Sequence, residues 1–267
     1  FNPLIAHVAD LDAARKLGRF TPMADVLAQA FWPGPLTLVV RQVPGCPVAD
    51  LVTAGLETIA IRIPGHAIAR AIIAASGVPI AAPSANRSGR ISPTHASHVA
   101  EELGLACALI VDGGPTGVGL ESTVVDATGP VPVLLRPGAI TRNDIERLTG
   151  LAVADRLDED SAPTAPGQLA SHYAPRARVR LAATSVDAGE ALLAFGPDVP
   201  AHSGLTINLS VSGDLREAAI NLFAALRTLD AAVSGSGNAA TIAVMPIPND
   251  GLGEAVNDRL RRAAAPR

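Results

Sequence analysis

The sequence predicts a mixed chain in two parts. The first is an α/β or α+β domain with a substantial sheet, and the second is a smaller open parallel sheet flanked by helices. Three observations predict it. Strand-like and helix-like segments alternate over residues 1–150. Residues 155–168, with charges, Ser161, Pro163, Pro166 and Gly167, carry no hydrophobic period and read as a mobile linker. Beyond them four apolar runs alternate with helix-forming segments. The expected boundaries are 1–150 for the first domain, 151–177 for the linker and 178–267 for the second.

In the first part, residues 4–8 are strand-like, and Asp10 caps a short helix ending at Gly18. Thr21 before Pro22 is an N-cap with proline at the first helical position, opening a helix to about Ala30. Trp32-Pro33-Gly34-Pro35 breaks it, and 36–41 form a strand. Residues 58–63 alternate as a strand, and 67–75 are helical with Gly77 as a stop. Residues 80–83 read as a buried strand that stops at Pro83 before the polar loop Ser84-Ala85-Asn86. Pro93-Thr94 opens a helix closing at Gly104, and strands follow at 109–111, 123–126 and 133–136. Residues 141–148 form the last helix of this part.

In the second part, 179–181, 191–195, 205–209 and 241–245 are strands. Asp214 with Glu217 has the form of a capping box. Leu215, Ala219, Leu222, Phe223 and Leu226 share one face of the helix that follows. Residues 254–264 are a final amphipathic helix.

Composition narrows the function classes. Aromatics are 3% of 267 residues, so the core must be built from Ala, Val, Leu and Ile. The formal net charge of −4 argues against broad affinity for nucleic acid. Cys46 and Cys107 are far apart and outside any Cys-x-x-Cys pair, which fits neither a disulfide framework nor a zinc site and suits a reducing cytosol. No apolar run approaches the ~20 residues of a membrane span. The chain opens mid-element at Phe1, so a natural N-terminus is expected upstream.

Several residues have the chemistry of a site. Arg62 and Arg136 each end an apolar strand just before a Pro-Gly turn. An arginine there either pairs with a structural carboxylate or meets an anion, and two together favour the anion. Ser84 and Asn86 follow a strand end, where small hydrogen-bonding side chains admit a phosphate or a carboxylate. Gly117-Val118-Gly119-Leu120-Glu121-Ser122 is either a ligand-approaching loop or a tight turn, and is no Walker motif. Gly251-Leu252-Gly253 is a weak dinucleotide signal beside plain helix entry. His95 and His98 lack a third ligand and read as a solvated helix face. His172-Tyr173-Ala174-Pro175 is either an anchor or a lid.

In chain order, the motifs at 2–8 (Asn-Pro-Leu-Ile-Ala-His-Val), 32–37 (Trp-Pro-Gly-Pro-Leu-Thr) and 59–64 (Ile-Ala-Ile-Arg-Ile-Pro) are followed by three more. These are 82–89 (Ala-Pro-Ser-Ala-Asn-Arg-Ser-Gly), 121–126 (Glu-Ser-Thr-Val-Val-Asp) and 135–138 (Leu-Arg-Pro-Gly). Together they resemble the Sua5/YrdC family of threonylcarbamoyl-AMP synthases. Residues 221–230 and 251–260 are similar to the Sua5-specific C-terminal domain, and 165–175 to its linker. The resemblance implies a YrdC-like twisted mixed sheet with helices, joined to a Rossmann-like C-terminal domain. It implies condensation of L-threonine, bicarbonate and ATP, with Mg²⁺ escorting the triphosphate, to threonylcarbamoyl-AMP and diphosphate.

The resemblance also implies a cytoplasmic enzyme serving a separate complex that transfers the group to tRNA beside the anticodon, with at most weak tRNA contact of its own. It places His7, Arg62, Ala82 and Ser122 on the threonine side, with Ala82 acting through its backbone. It places Thr58, Ser84, Asn86, Ser92 and Arg136 on the ATP side, with His172 or Tyr173 closing over the nucleotide. The family's Lys-x-Arg motif and Thr-rich strand and helix would precede Asn2, so the chain beginning at Phe1 is expected to be weakly active or inactive. Gln168-Leu169-Ala170 stands where the family has Met-Lys-Tyr. The alternatives are an RNA-binding module of the YrdC type, a truncated inactive homologue, and hydrogenase-maturation carbamoyl transfer. The last would bring zinc-finger cysteines and an acylphosphatase-like region, and the sequence has neither.

Overall fold

The structure is a computed structural model and describes residues 2–156, 172–233 and 240–266. Residues 157–171 of the expected linker, with Gln168-Leu169-Ala170, lie outside the described residues. Two compact units emerge, and they are not contiguous in sequence: Phe1–Pro83 with Glu121–Gln168, and Ser84–Leu120 with Leu169–Arg267.

The first unit is an eight-stranded mixed sheet. Its strands are β1 (Ile5–His7), β2 (Gly18–Arg19), β3 (Leu36–Gln42), β4 (Thr58–Arg62), β5 (Ile80–Ala81), β6 (Thr123–Asp126), β7 (Val133–Arg136) and β8 (Ala154–Asp155). The order is β5-β1-β4-β3-β6-β7-β8, with β2 beside β3. The pairs β1–β4, β3–β6 and β7–β8 are parallel, and β1–β5, β2–β3, β3–β4 and β6–β7 are antiparallel.

The helices are α1 (Leu11–Arg15), α2 (Pro22–Phe31), α3 (Asp50–Thr53), α4 (Ala67–Ser76) and, after β7, α6 (Arg142–Thr149). α5 (Ala96–Leu103) belongs to the other unit. The caps that the sequence predicts at Asp10 and Thr21 form. Asp10 accepts from the Ala13 N–H at 2.8 Å, and Thr21 from the Ala24 N–H at 3.1 Å. Thr141 and Asp144 make a full capping box.

Strand alternation sorts this sheet into two faces. Ala6, Leu36, Leu38, Val40, Ile59, Ile61, Val125 and Leu134 enter the main core. Ile5, Val39, Ala60, Val124 and Leu135 form a smaller apolar floor on the other face. The scarcity of aromatics is met by close-packed aliphatics, as composition requires.

The second unit has a four-stranded, all-parallel sheet ordered β11-β10-β12-β9. The strands are β9 (Arg178–Arg180), β10 (Ala191–Ala194), β11 (Thr206–Asn208) and β12 (Thr241–Val244). Helices α7 (Leu215–Val233) and α8 (Leu252–Ala264) complete it. α7 buries Ala218, Ala219, Leu222, Phe223, Ala225, Leu226 and Leu229, the face that the periodicity predicts.

The segment 84–120 packs on α7. Arg227 pairs with Glu102 at 2.7 Å and donates to the Ile91 carbonyl. Gly119, at φ +76, lies so close that a Cβ would stand 2.2 Å from the Ala219 carbonyl oxygen and 2.4 Å from the Ile220 Cα. Both neighbours are backbone and cannot yield. Gly119→Ala should therefore cost about 2–4 kcal/mol, combining backbone clash with left-handed strain. Urea unfolding checks this, and an unchanged midpoint would contradict it.

Four local expectations are corrected. No strand forms at 109–111: Leu109 and Val111 are 79% and 51% exposed and have no neighbouring strand to pair with. β5 is two residues long at the sheet edge, with Ala81 exposed, and is not a buried strand. α5 begins at Ala96, because Pro93 and Thr94 stay irregular and His98 Nδ1 accepts the Thr94 N–H at 3.2 Å. The Asp214–Glu217 box is half formed. Asp214 accepts from the Arg216 and Glu217 N–H groups, but Glu217 Oε2 takes the Ser210 hydroxyl at 2.5 Å, and Ser210 Oγ accepts the Asp214 N–H.

Candidate active site

The first unit gathers its polar side chains at one end of the sheet, on the face of the small apolar floor. His7 and Arg62 end the parallel strands β1 and β4 and are register partners. β3 runs antiparallel to β4, so its N-terminal end, with Gly34 and Thr37, arrives beside Arg62. β6 is parallel to β3, so Ser122 arrives at the same end. β7 is antiparallel to β6 and delivers Arg136 there.

A β-bulge aims Arg136. The register shifts between Val124 and Val125, so that Leu134 faces Val125 and Arg136 faces Val124. Without the extra residue, Arg136 would share the face of Leu134 and enter the main core. With it, Arg136 joins the face of Val124.

These groups hold one another in place. Arg136, 4% exposed, donates from Nε and Nη2 to the Ser122 carbonyl at 3.0 and 2.9 Å. Nη2 also reaches Ser122 Oγ at 3.1 Å. Ser122 Oγ and Thr37 Oγ1 are 2.7 Å apart. Gly138 follows in the turn after Arg136, where a Cβ would stand 2.5 Å from the Thr123 nitrogen. Arg62 Nε donates to the Gly34 carbonyl at 3.0 Å. Among the described residues, Arg62 makes no ion pair with a carboxylate. Burial, and then the charge of Arg136, push its pKa down to about 10, so it remains a cation at neutral pH.

His7 is pushed down from 6.5 to about 4, first by burial and second by Arg62. The Ile5 and Ile80 carbonyls oppose the shift, and Nδ1 is 3.1 Å from the Ile5 oxygen. His7 is therefore neutral at pH 7. The unfolded chain takes up a proton before the folded one does. Stability is thus complete above pH 6.5 and is lost as the pH falls towards 4, by at most about 3 kcal/mol. His7→Gln should flatten this slope in denaturant unfolding at pH 7 and pH 4.5. An identical slope in both proteins would contradict the assignment.

Thr58 shares the face of Ala60 and Arg62 but stands at the other end of β4, roughly 13 Å away at ~3.3 Å per residue. Ala82 donates its N–H to the Ile5 carbonyl at 3.2 Å and is exposed, beyond β5.

The remaining expected residues belong to the second unit. Ser84 is exposed. Asn86 Nδ2 donates to the carbonyls of Arg87 and Arg90 at 2.9 and 3.1 Å, shaping the loop that carries it. Ser92 is buried, and its carbonyl accepts from Arg227 at 3.4 Å. Tyr173 is 1% exposed within the second unit's core, its ring 5.4 Å from that of Phe223 and 4.1 Å from that of His172. The conformation seen is the anchor of the two readings.

Gly251 and Gly253 serve helix entry, since a Cβ on Gly253 would lie 1.9 Å from the Pro248 carbonyl. The rings of His95 and His98 meet edge to face at 5.1 Å. Among the described residues no three His, Cys, Asp or Glu side chains cluster as metal ligands. Sequence reasoning missed Thr37 and Gly34. The signal for Thr37 was a hydroxyl inside the apolar run Leu36–Gln42. For Gly34 it was a glycine between two prolines, whose carbonyl is free to face a cation.

A family model described as "Telomere recombination", covering Sua5, YciO and YrdC, matches residues 1–138. One described as "Threonylcarbamoyl-AMP synthase, C-terminal domain" matches residues 140–265. The chain is 39% identical to threonylcarbamoyl-AMP synthase of Bacillus subtilis (strain 168) over 283 residues, covering 100% of this chain and 80% of the relative. It is 39% identical to that of Pyrococcus abyssi over 279 residues, covering 98% and 80%. The crystal structure of P. abyssi Sua5 complexed with L-threonine superposes with a TM-score of 0.85 at 37% identity, over 98% of this chain and 80% of that one. A form of that protein with an adjacent histidine and tyrosine both changed to alanine gives 0.82, at 34% identity over 98% and 79%. In motif order, in the mixed sheet and in the parallel second sheet, the chain belongs to the Sua5 family of threonylcarbamoyl-AMP synthases.

Proposed function

We propose that this enzyme condenses L-threonine, bicarbonate and ATP to threonylcarbamoyl-AMP and diphosphate. The observation that carries the reading is Arg62, a half-buried cation beside a second arginine, with no carboxylate partner among the described residues. A cation so placed calls for an anionic ligand. The carboxylate of threonine meets that need, and threonine is what the similar P. abyssi Sua5 holds in its crystal structure.

Arg62 grips the carboxylate, with neutral His7 beside it and the Ser122 hydroxyl and Ala82 backbone completing the threonine side. The amine of threonine adds to the carbon of bicarbonate and water leaves, giving a carbamate. A carbamate oxygen then attacks the α-phosphorus of ATP while the bond to the β-phosphate oxygen breaks and diphosphate departs. Charge grows on the α-phosphate oxygens, so catalysis rests on fixed donors and cations more than on covalent help. Arg136, Ser84, Asn86, Ser92 and Thr58 are the residues we assign to the nucleotide.

His172 or Tyr173 closes over the nucleotide. His172-Tyr173 is the one His-Tyr pair of this sequence, and such a pair was the target of the alanine changes in the P. abyssi protein. Mg²⁺ fits as an escort of the triphosphate. It prefers phosphate oxygens and water to a protein cage, and no cluster of acidic ligands is seen among the described residues. The product is a mixed anhydride, passed to a separate tRNA-modifying complex in the cytoplasm. No helix of the described residues is long and apolar enough to cross a membrane.

Calorimetry tests the reading: threonine binds first, and ATP binds the threonine-loaded protein. Absence of threonine binding would sink it. Salt-sensitive tRNA affinity without threonine or ATP binding would instead favour the RNA module.

A further inference from the structure

We infer that Arg259, held by Asp258 on α8, is a positioning residue for this reaction. It clamps the ring of Tyr173 and so fixes the His172-Tyr173 strap and the loop that carries Asn86. The inference rests on the reading that strap and loop face the nucleotide.

Arg259 is 0% exposed, the largest fully buried side chain of the described residues. Burying a guanidinium is costly, and an apolar side chain of similar volume would fill the same space without that cost. The charge has specific contacts. Nη1 donates to Asp258 Oδ2 at 2.6 Å, and the other carboxylate oxygen takes Arg262 Nε at 3.1 Å. The guanidinium carbon stands 5.2 Å from the centre of the Tyr173 ring, within cation–π range.

Tyr173 needs holding. Its backbone is at φ +59, a left-handed conformation that an aromatic residue rarely adopts without support. Hydrogen bonds flank it on both sides. The His172 N–H donates to the Arg262 carbonyl at 3.3 Å, tying the strap to α8. The Ala174 N–H donates to the Gly89 carbonyl at 2.9 Å, tying it to the loop that Asn86 shapes. One continuous set of contacts thus runs from Asp258 and Arg259 through Tyr173 to the Ser84–Gly89 loop. It gives the second unit a task in the reaction.

Tyr173 is the only tyrosine in the sequence, so its burial can be read directly. In Arg259→Met, which keeps length and removes the cation, nitration of Tyr173 by tetranitromethane should become about tenfold faster, and the KM for ATP should rise about tenfold. The KM for threonine should stay within about twofold, a split that general loosening of the structure would not produce. Arg259→Lys should restore part of both effects.

A folded Arg259→Met with Tyr173 still protected and the ATP KM unmoved would overturn the clamp. Faster nitration with an unmoved ATP KM would overturn the nucleotide role of the strap, and with it Arg259 as a positioning residue. Should Arg259→Met not fold, Asp258→Asn loosens the same clamp from its other side, and the same two readouts decide.

Discussion

Arg62→Ala should weaken threonine binding at least about 100-fold while leaving the fold intact. The magnitude follows from a charge-assisted contact made at a half-buried site, where truncating one partner costs about 3 kcal/mol. The fold should survive because, among the described residues, the Arg62 side chain makes one hydrogen bond, to the Gly34 carbonyl, and it lies on the face opposite the main core. Loss of that bond costs about 1 kcal/mol. Removing a cation should also relieve its neighbour, since the charge of Arg136 opposes that of Arg62.

Arg62→Lys keeps the charge but loses the planar fork, and should fall about tenfold short of the native affinity. Calorimetry with L-threonine, beside a urea unfolding curve, separates binding from stability. Threonine binding at native strength in Arg62→Ala would show that the carboxylate lies elsewhere.

Arg136→Ala should act on both stability and turnover. Three hydrogen bonds from this buried guanidinium end on Ser122, two on its carbonyl and one on its hydroxyl. Truncation leaves that carbonyl buried without its donors and opens a cavity beside Val124. The combination should cost about 3 kcal/mol in urea unfolding. Ser122 would also lose the partner that sets it against Thr37, so the change reaches both substrates. Adenylate formation should fall at least about 100-fold.

Arg136→Lys keeps a cation but offers a single ammonium in place of the fork, and should recover stability more than rate. Ser122→Ala separates the hydroxyl from the carbonyl and should cost at most about 1.5 kcal/mol. Native unfolding and native turnover in Arg136→Ala would remove Arg136 from the site.

Much of this was legible in the sequence, for identifiable reasons. Strict alternation in Thr58–Arg62 fixed the face of Arg62, because the period of two leaves one choice once Ile59 and Ile61 are buried. The caps at Asp10 and Thr21 are local chemistry and formed as read. The face of Arg136 was not legible, because a bulge inserts a residue without marking the sequence, and counting from Leu134 gives the wrong face. Thr37 was hidden because its partner, Ser122, is 85 residues away and meets it through strand pairing.

The run at 109–111 has strand composition but no edge to pair with, and composition alone cannot supply a neighbour. Tyr173 presents the opposite case. Its place in a linker left anchor and lid both open, and its ring is packed in a core whose members come from α7, α8 and the strands of the second sheet.

The central claim is that one site activates threonine carbamate with ATP. The most direct measurement is mass spectrometry of the enzyme's products with L-threonine, bicarbonate and ATP, omitting each in turn. The account predicts threonylcarbamoyl-AMP and an equal amount of diphosphate when all three are present, neither when one is left out, and neither with Arg62→Ala. Diphosphate released without threonine, or diphosphate released from the complete mixture with no adenylate formed, would contradict it.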